Sequence, residues 1–432
     1  MTSFGLVWVL LCISTFFLPK KYLAGLLIFS CVFQTAGVLQ FGGKSLSPLF
    51  VTECFCVLRL TPIIFQKKKI RINTILKYLG VFVLIAVITT IFLPLIFENK
   101  VRVYSTDMGI DTNYFMGGVP LRLSFSSVIQ IVFLSLHYLV LLLLFTARGK
   151  LGDKIFYTKS FIFSIVFVVF IGLWEFVSKF YNLIYFPKSF FITDIRSLDQ
   201  QTALGGLMRL NATFLEPSFA GAFLAASFWA VYVSKFRFSK LLSVFILIAL
   251  VFNLSGTGIV SFIFGAVIYI LTNNMKKIFW IIPVVIVGYL GLVYSGYFDI
   301  IMLLITSKGD SHSGGVRLGA VLFSWELFVN TYMLGVGLGN HRGASFILNI
   351  LTTTGLIGAI LFGLFYLRLM KYLYKKNNDK ASSLFIFYFA LVLMFAQIIA
   401  IPDLSFSPFW MWIFYMFLTI QLTSKEEVSV LG

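Results

Sequence analysis

The feature that most constrains this chain is a series of long apolar segments separated by short polar ones. A helix needs about 20 apolar residues to cross a bilayer, and about 13 runs approach this length. The sequence is 59% hydrophobic and only 12% charged, a composition that cannot cover a water-facing surface. We therefore predict an all-α polytopic membrane protein with one transmembrane domain, residues 1–432. The predicted spans are roughly 4–18, 22–41, 47–66, 76–97, 124–147, 160–180, 213–234, 239–253, 257–273, 278–296, 343–368, 383–401 and 405–423, of which several short ones could be re-entrant instead.

The connecting segments alternate in charge. Stretches such as "QKKKIRIN", "SKFRFSK" and "NNMKK" are rich in lysine, and the positive-inside rule places them in the cytoplasm. The N-terminus is then predicted outside and the C-terminus inside. The first apolar run ends at "FFLPKK" without a small-residue cleavage site, so we expect a membrane anchor rather than a cleaved signal peptide.

The kind of basic residue differs between the two predicted sides. The inner segments contain 18 Lys and 4 Arg and the outer segments 5 Lys and 6 Arg; with Arg59 these make up the 34 basic residues. The net charge of +18 is thus explained by topology and does not indicate a nucleic-acid partner. The positive-inside rule does not explain the outer arginines. Their guanidinium groups suit bidentate binding of a phosphate group. The alternative is ordinary pairing with nearby acids such as Asp194 and Asp199. The outer arginines are Arg102, Arg122, Arg196, Arg209, Arg317 and Arg342.

Two outer segments, 181–212 and 297–342, are the longest and hold most of these arginines. Long connections that are not linkers are often functional. Both are rich in aromatic and apolar residues, so we expect short helices at the membrane surface rather than disorder.

The stretch "RLNATFLEPSFAGAF" (209–223) places Arg209 and Glu216 at the entry to a span. Pro217 suits the first position of a helix, which makes Glu216 a cap residue. The helix dipole would keep this carboxylate ionised. Glu216 could then accept a proton from a sugar hydroxyl, or it could be a structural cap with Arg209 as a surface ion pair.

Two further outer stretches carry candidate residues. Arg317 follows "SHSGG", whose glycines would let the chain turn before a helix; the alternative is an interfacial anchor. The stretch "LGVGLGNHRG" (334–343) contains His341 and Arg342 after a glycine-rich turn, whose backbone N–H groups could meet an anion. His341 could be a base or a hydrogen-bond partner of a sugar, or it could have no special role.

Ionisable residues also fall inside predicted spans. Because such groups are costly in lipid and are usually paired, we expect Glu53 to pair with Arg59. Glu175 also lies in a span, and His137 is expected to pack in the core. The four cysteines, which lie in apolar runs without metal-ligand spacing, are expected to be small buried hydrophobes.

Three segments together resemble the O-antigen polymerase and ligase superfamily of bacterial envelope glycosyltransferases, closest to its Wzy-type polymerases. They are "RLNATFLEPSFAGAF", "NLSGTGIVSFIFG" (253–265), and Arg317 with the later "GVGLGN" and "ILTTTGLIG". The resemblance implies a GT-C-like fold in the bacterial inner membrane with the active site on the outer face. It implies a substrate of undecaprenyl-diphosphate-linked oligosaccharide, no metal or other cofactor, and possible cooperation with a chain-length regulator in the membrane.

The resemblance also implies roles for the outer residues. Arg209 and Arg317 would stabilise the diphosphate leaving group, with Arg342 and Arg196 in support. Glu216 would be the first choice and His341 the second for the base that accepts the acceptor's proton. Two alternatives stay open: the ligase of the same superfamily, and a flippase for lipid-linked oligosaccharides. The Glu-Pro pair matches the polymerase branch better, and a flippase would often show repeated halves, which are not visible here.

Overall fold

The structure is a computed structural model that describes residues 1–41, 44–65, 72–151, 153–181, 187–193, 209–234, 236–273, 312–377 and 381–419. Its described part is predominantly helical. The helices are α1 (Ser3–Phe17), α2 (Lys20–Ser30), α3 (Pro48–Phe65), α4 (Thr74–Ile96), α5 (Ile110–Phe115), α6 (Phe125–Leu151), α7 (Lys154–Tyr181), α8 (Lys188–Phe191), α9 (Pro217–Val233), α10 (Ser239–Asn253), α11 (Gly256–Asn273), α12 (His312–Asn330), α13 (Phe346–Asn377), α14 (Ala381–Ala400) and α15 (Ser407–Thr419).

Four short strands form two antiparallel pairs in the connections. β1 (Leu39–Phe41) pairs with β2 (Lys44–Leu46), in a register that sets Gln40 opposite Ser45. β3 (Arg102–Val103) pairs with β4 (Val119–Pro120), with Arg102 opposite Pro120. Both pairs lie in connections between helices, and the architecture is that of an all-α membrane protein, as predicted.

Five of the described helices are long and apolar enough to cross a bilayer. They contain the segments Thr74–Ile96, Phe125–Ala147, Lys154–Lys179, Phe346–Lys375 and Ser383–Ala400. α1, α9, α10 and α11 are apolar but shorter. The predicted span 278–296 lies outside the described residues, so the number of 13 spans stays a prediction.

One predicted span is wrong in its extent. The apolar run 22–41 was expected to be one helix, but α2 ends at Ser30 after 11 residues. The chain then turns, and the backbone N–H groups of Gln34 and Thr35 donate to the carbonyl oxygen of Thr213 at 3.0 and 3.1 Å. These two N–H groups, which would bond within a longer helix, bond instead to a loop that is far away in the sequence.

Two helices form the centre of the bundle. α9 and α15 are buried along almost their whole length, which explains why they are apolar on all faces. α9 contacts α10, α11 and α14. Its Gly221 lies directly against Gly258 of α11, because a Cβ added at Gly221 would lie 3.0 Å from the Gly258 Cα. Small residues at this crossing let the two backbones approach closely.

The buried charge at Glu53 is paired differently from the prediction. Its Oε1 lies 2.5 Å from Nδ1 of His137, on α6, and not beside Arg59. The Arg59 guanidinium instead donates to the backbone carbonyls of Thr15 and Leu18 at the end of α1. The Thr15 carbonyl oxygen also accepts from the Leu18 backbone N–H at 3.2 Å, so Arg59 adds a second donor at a helix C-terminus, where cations are favoured.

The polar segments that connect the helices form two groups, one at each end of the bundle. Lys21 and Asp153, 2.8 Å apart, join two connections that were predicted to be cytoplasmic. Arg342 and Asp403, 3.0 Å apart, join two that were predicted to be outside. We call the second end, which carries Arg342–Asp403 and the Thr213 loop, the polar end of the bundle. The side of the membrane that it faces stays a prediction.

Candidate functional site

The candidate site begins with the loop 209–216, which leads into α9. Ala212 has a positive φ of 52°, a conformation that L-residues rarely adopt. Its backbone N–H donates to Oε2 of Glu175 at 2.9 Å. Glu175 is buried at the end of α7 and also pairs with Lys179 one turn later. The Glu175 carboxylate, near the end of a long apolar helix, therefore accepts a hydrogen bond from the loop residue whose backbone conformation is strained.

A second support comes from the turn between α10 and α11. The side-chain amide of Asn253 donates to the carbonyl oxygens of Leu210 at 2.6 Å and Pro217 at 2.9 Å, on either side of the loop. Arg209 donates in return to the Leu254 carbonyl oxygen at 3.3 Å. The stretches 209–223 and 253–265, far apart in the sequence, thus build one local structure.

Two of the predicted site residues, Glu216 and Arg317, act electrostatically on a third, Arg209. Burial lowers the pKa of the Arg209 guanidinium, the negative charge of Glu216 raises that pKa, and the positive charge of Arg317 lowers it. Arg317 lies exposed near the start of α12, so the fold brings a second guanidinium into the electric field of Arg209. Two guanidinium groups that act on each other electrostatically favour the binding of an anion.

Glu216 occupies the N-cap position of α9, with Pro217 at the first helical position as predicted. Its side chain accepts no hydrogen bond from the backbone N–H groups of that helix. Oε2 accepts instead from the Ser218 hydroxyl at 3.0 Å. The carboxylate is therefore not used as a helix cap, although it stands at a helix N-terminus where negative charge is favoured.

Several buried polar atoms around this loop have no hydrogen-bond partner among the described residues. They include Nε of Arg209, both amide atoms of Asn211 and Oδ1 of Asn253. Asn211 is 1% exposed and Asn253 fully buried. Unpartnered buried groups are costly and rare in folded proteins. Their concentration around the Arg209 loop fits a polar ligand or ordered water.

His341 lies in a different environment from the one expected of a base. Its Nδ1 accepts from the Tyr104 backbone N–H at 3.1 Å, so Nε2 carries the proton and lies 3.0 Å from the Ser324 hydroxyl. That hydroxyl donates to the Ala320 carbonyl oxygen at 2.6 Å. Burial lowers the pKa of His341 to about 3, so the ring is neutral near pH 7. Both ring nitrogens serve contacts between α12, the β3 segment and the loop 331–345.

The glycine-rich stretch forms the tight turn that was predicted, with positive φ at Gly335, Gly337 and Gly339. Its backbone N–H groups are not all open to an anion, however. Those of Val336 and Gly337 donate to the carbonyl oxygens of Thr352 and Thr353, just before Gly355 interrupts the helical backbone of α13, and that of Leu338 donates to Oγ1 of Thr90 at 2.8 Å. At these three positions the N–H groups of the turn bond to α13 and α4. The expectation that they would bind an anion there was wrong.

Arg342 forms an ion pair with Asp403, and its backbone N–H donates to the Tyr104 carbonyl oxygen at 2.9 Å. Arg196, with the neighbouring acids Asp194 and Asp199, lies outside the described residues. Glu216 and Arg317 thus act electrostatically on Arg209, whereas Arg342 is paired with Asp403 elsewhere at the polar end. The roles of all the candidate residues stay predictions.

Three supporting residues were missed at the sequence level. Glu175 was recognised only as a carboxyl group within a span, and Asn253 only as the first residue of a quoted stretch. Asp403 was not singled out. Each acts on a partner at least 36 residues away, and such a pairing leaves no local pattern in the sequence. The part of the chain that the structure describes has no group of three or more His, Cys, Asp or Glu side chains that could hold a metal ion.

A comparison with models of known protein families finds no match to this chain. A search of curated proteins likewise finds no similar sequence.

Proposed function

We propose that this protein is a membrane glycosyltransferase that polymerises lipid-linked oligosaccharide repeat units. The growing glycan would move from undecaprenyl diphosphate onto the non-reducing end of another lipid-linked unit. The proposal combines the resemblance of three segments to Wzy-type polymerases with the arrangement of charges at the polar end of the bundle.

The observation that carries the proposal is the grouping of Arg209, Arg317 and Glu216. Arg209 is partly buried, its Nε has no partner among the described residues, and a second guanidinium acts on its pKa. Neutral or cationic ligands would not relieve the repulsion between two guanidinium groups, whereas a diphosphate would. Arginine also matches the geometry of phosphate oxygens with paired N–H groups.

The proposed reaction uses these residues in two roles. The bond between the anomeric carbon and the diphosphate oxygen breaks, and the bonding electrons leave with the diphosphate. Arg209 and Arg317 stabilise the charge that develops there, which is the main electrostatic task of such a transfer. The acceptor hydroxyl oxygen bonds to the anomeric carbon, and Glu216 accepts its proton. We leave His341 out of this scheme because its ring nitrogens are both engaged within the protein.

The setting of the reaction follows from the same proposal. The lipid would enter from the bilayer between helices, and the polar end of the bundle would face the outer side of a bacterial inner membrane. We expect no metal ion, since two guanidinium groups can neutralise a diphosphate. Arg342, and Arg196 in the undescribed segment, would support binding of the diphosphate, and a chain-length regulator would be the protein partner.

Deletion of the gene tests the proposed function directly. We expect surface polymer to disappear while lipid-linked single repeat units accumulate on the outer leaflet, because the units are made and flipped but not joined. Units trapped on the inner leaflet would instead indicate a flippase. If the organism makes lipopolysaccharide, unmodified lipid A core would indicate a ligase, whereas core with a single repeat unit would support the polymerase.

A further inference from the structure

A cavity of about 170 Å³ opens at the polar end, between α3, α6, α9 and the segments that precede α15. Its wall includes Leu215 and Phe219, which flank Glu216 in the sequence. Its mouth includes Asp403, the ion-pair partner of Arg342, and the exposed Ser405. The cavity therefore shares a wall with the segment that carries Glu216, yet neither Arg209 nor Arg317 is among its lining residues.

The floor of the cavity is the buried pair of Glu53 and His137. Glu53 is fully buried and His137 is 5% exposed. Oε1 of Glu53 bonds His137, while Oε2 has no hydrogen-bond partner among the described residues. Gln34 lines the same cavity, and its Oε1 also lacks a partner there, although its Nε2 donates to Ser407 at 3.3 Å. Two residues that line this cavity thus each have a buried acceptor oxygen with no hydrogen-bond donor among the described residues.

The rest of the lining indicates what kind of group would supply those donors. Phenylalanine rings from several elements form most of the apolar wall, among them Phe50, Phe133 and Phe406. The volume is smaller than the roughly 300 Å³ at which pockets for drug-sized ligands begin. A compact ring with hydroxyl groups on its edge and apolar faces matches both the size and the mixed lining. A phosphate would bring more acceptor oxygens to a space that already has two unpartnered ones.

We propose that this cavity is the subsite that holds the terminal sugar ring of the acceptor, with its hydroxyl groups donating to Glu53 and Gln34. This inference rests on the proposed glycan polymerisation. It assigns acceptor recognition to a site separate from the arginine pair, joined to it by the Leu215–Phe219 segment. Glu53 and Gln34 are binding residues in this account, and the proton of the reacting hydroxyl still goes to Glu216.

The test uses the purified full chain and the repeat-unit oligosaccharide released from the lipid that accumulates in the deletion strain. Glu53→Gln keeps the shape and the bond to His137 but replaces an acceptor with a donor. Ser405→Trp alters an exposed residue, so it leaves the core unchanged and places an indole at the mouth. Ser14→Trp, at an exposed position of α1 far from the cavity in the fold, is the matched control.

We expect both cavity variants to weaken oligosaccharide binding, and to raise the acceptor KM in polymerisation, by about tenfold or more. The diphosphate donor's KM and the control variant should stay unchanged. If the wild type polymerises but both cavity variants bind the oligosaccharide as it does, the cavity holds only water and the subsite is refuted while the proposed function stands. If the wild type neither binds nor polymerises the unit, the proposed function and the subsite both fall.

Discussion

Oε2 of Glu175 accepts a hydrogen bond of 2.9 Å from the backbone N–H of Ala212, at the strained point of the loop between Arg209 and Glu216. The carboxyl group lies at the end of a long apolar helix, where an ionisable residue is costly. Its position is explained if its task is to hold the loop that carries the arginine and the carboxylate of the candidate site.

Glu175→Ala removes this acceptor and leaves a buried N–H group without a partner. We expect a loss of about 1–3 kcal/mol in local stability and a large loss of polymerising activity, because the positions of Arg209 and Glu216 both depend on the loop. Glu175→Gln keeps an acceptor oxygen and should lie between wild type and Ala. Thermal unfolding in detergent and polymer length in a complemented deletion strain measure the two effects. Wild-type behaviour of Glu175→Ala in both assays would refute the supporting role.

Gly221→Ala tests the close crossing of α9 and α11. The added methyl group would overlap Oδ1 of Asn253 and lie 3.0 Å from the Gly258 Cα, so the helices or the Asn253 side chain must move. Overpacking of this kind typically costs about 1–3 kcal/mol, and displacement of Asn253 would also release Leu210. We expect a lower unfolding temperature and loss of activity.

The matched control for that substitution is Gly363→Ala on α13. Apart from its own helix backbone, a Cβ at Gly363 would meet no described atom within 4 Å. Alanine favours a helix over glycine by roughly 1 kcal/mol, so this variant should be as stable as the wild type or more stable. Equal unfolding temperatures for the two glycine variants would contradict the packing described here.

His341 predicts a pH dependence of stability rather than of catalysis. Its pKa is about 3 in the folded protein because of burial, against 6.5 for the free side chain. Between these values the unfolded chain binds a proton that the folded chain does not, so stability falls as pH falls below about 6.5 and the contribution is constant above it.

His341→Gln removes this titration. Acidification from pH 7 to pH 5 should therefore destabilise the wild type by about 2 kcal/mol more than the variant, at 1.36 kcal/mol per pH unit below 6.5. Thermal unfolding of both proteins at the two pH values measures the difference. A larger acid sensitivity in His341→Gln than in the wild type would show that the ring is not held neutral by burial.

Some of this arrangement could be predicted from the sequence and some could not. The long apolar runs predicted the helical architecture, and the outer arginines directed attention to Arg209 and to Arg317, whose positive charge acts on Arg209 in the fold. The partner of Glu53 could not be predicted, because His137 lies 84 residues away on another helix. Arg59 was the nearest opposite charge in the sequence, but its guanidinium donates to the Thr15 and Leu18 carbonyl oxygens at the end of α1 instead.

The early end of α2 was missed for a related reason. Residues 31–41 are apolar enough to continue a helix, and only the loop around Thr213 shows where their backbone hydrogen bonds go. Likewise, the glycines of 335–339 indicated a turn, but not that its N–H groups would be used by α13 and Thr90. Long-range partners decided each of these features.

The central claim is that Arg209 and Arg317 act together on a diphosphate, and complementation of the deletion strain tests it most directly. Arg209→Ala, Arg317→Ala and Arg317→Lys should each accumulate in the membrane as the wild type does. Each should lower polymer formation about a hundredfold or more, since each removes paired N–H donors to the leaving group. The control is Arg368→Ala, which should make normal polymer. The Arg368 side chain lies in a predicted inner segment, with its guanidinium carbon 4.7 Å from the centroid of the Tyr78 ring. Full-length polymer from both Arg209→Ala and Arg317→Ala would contradict the account.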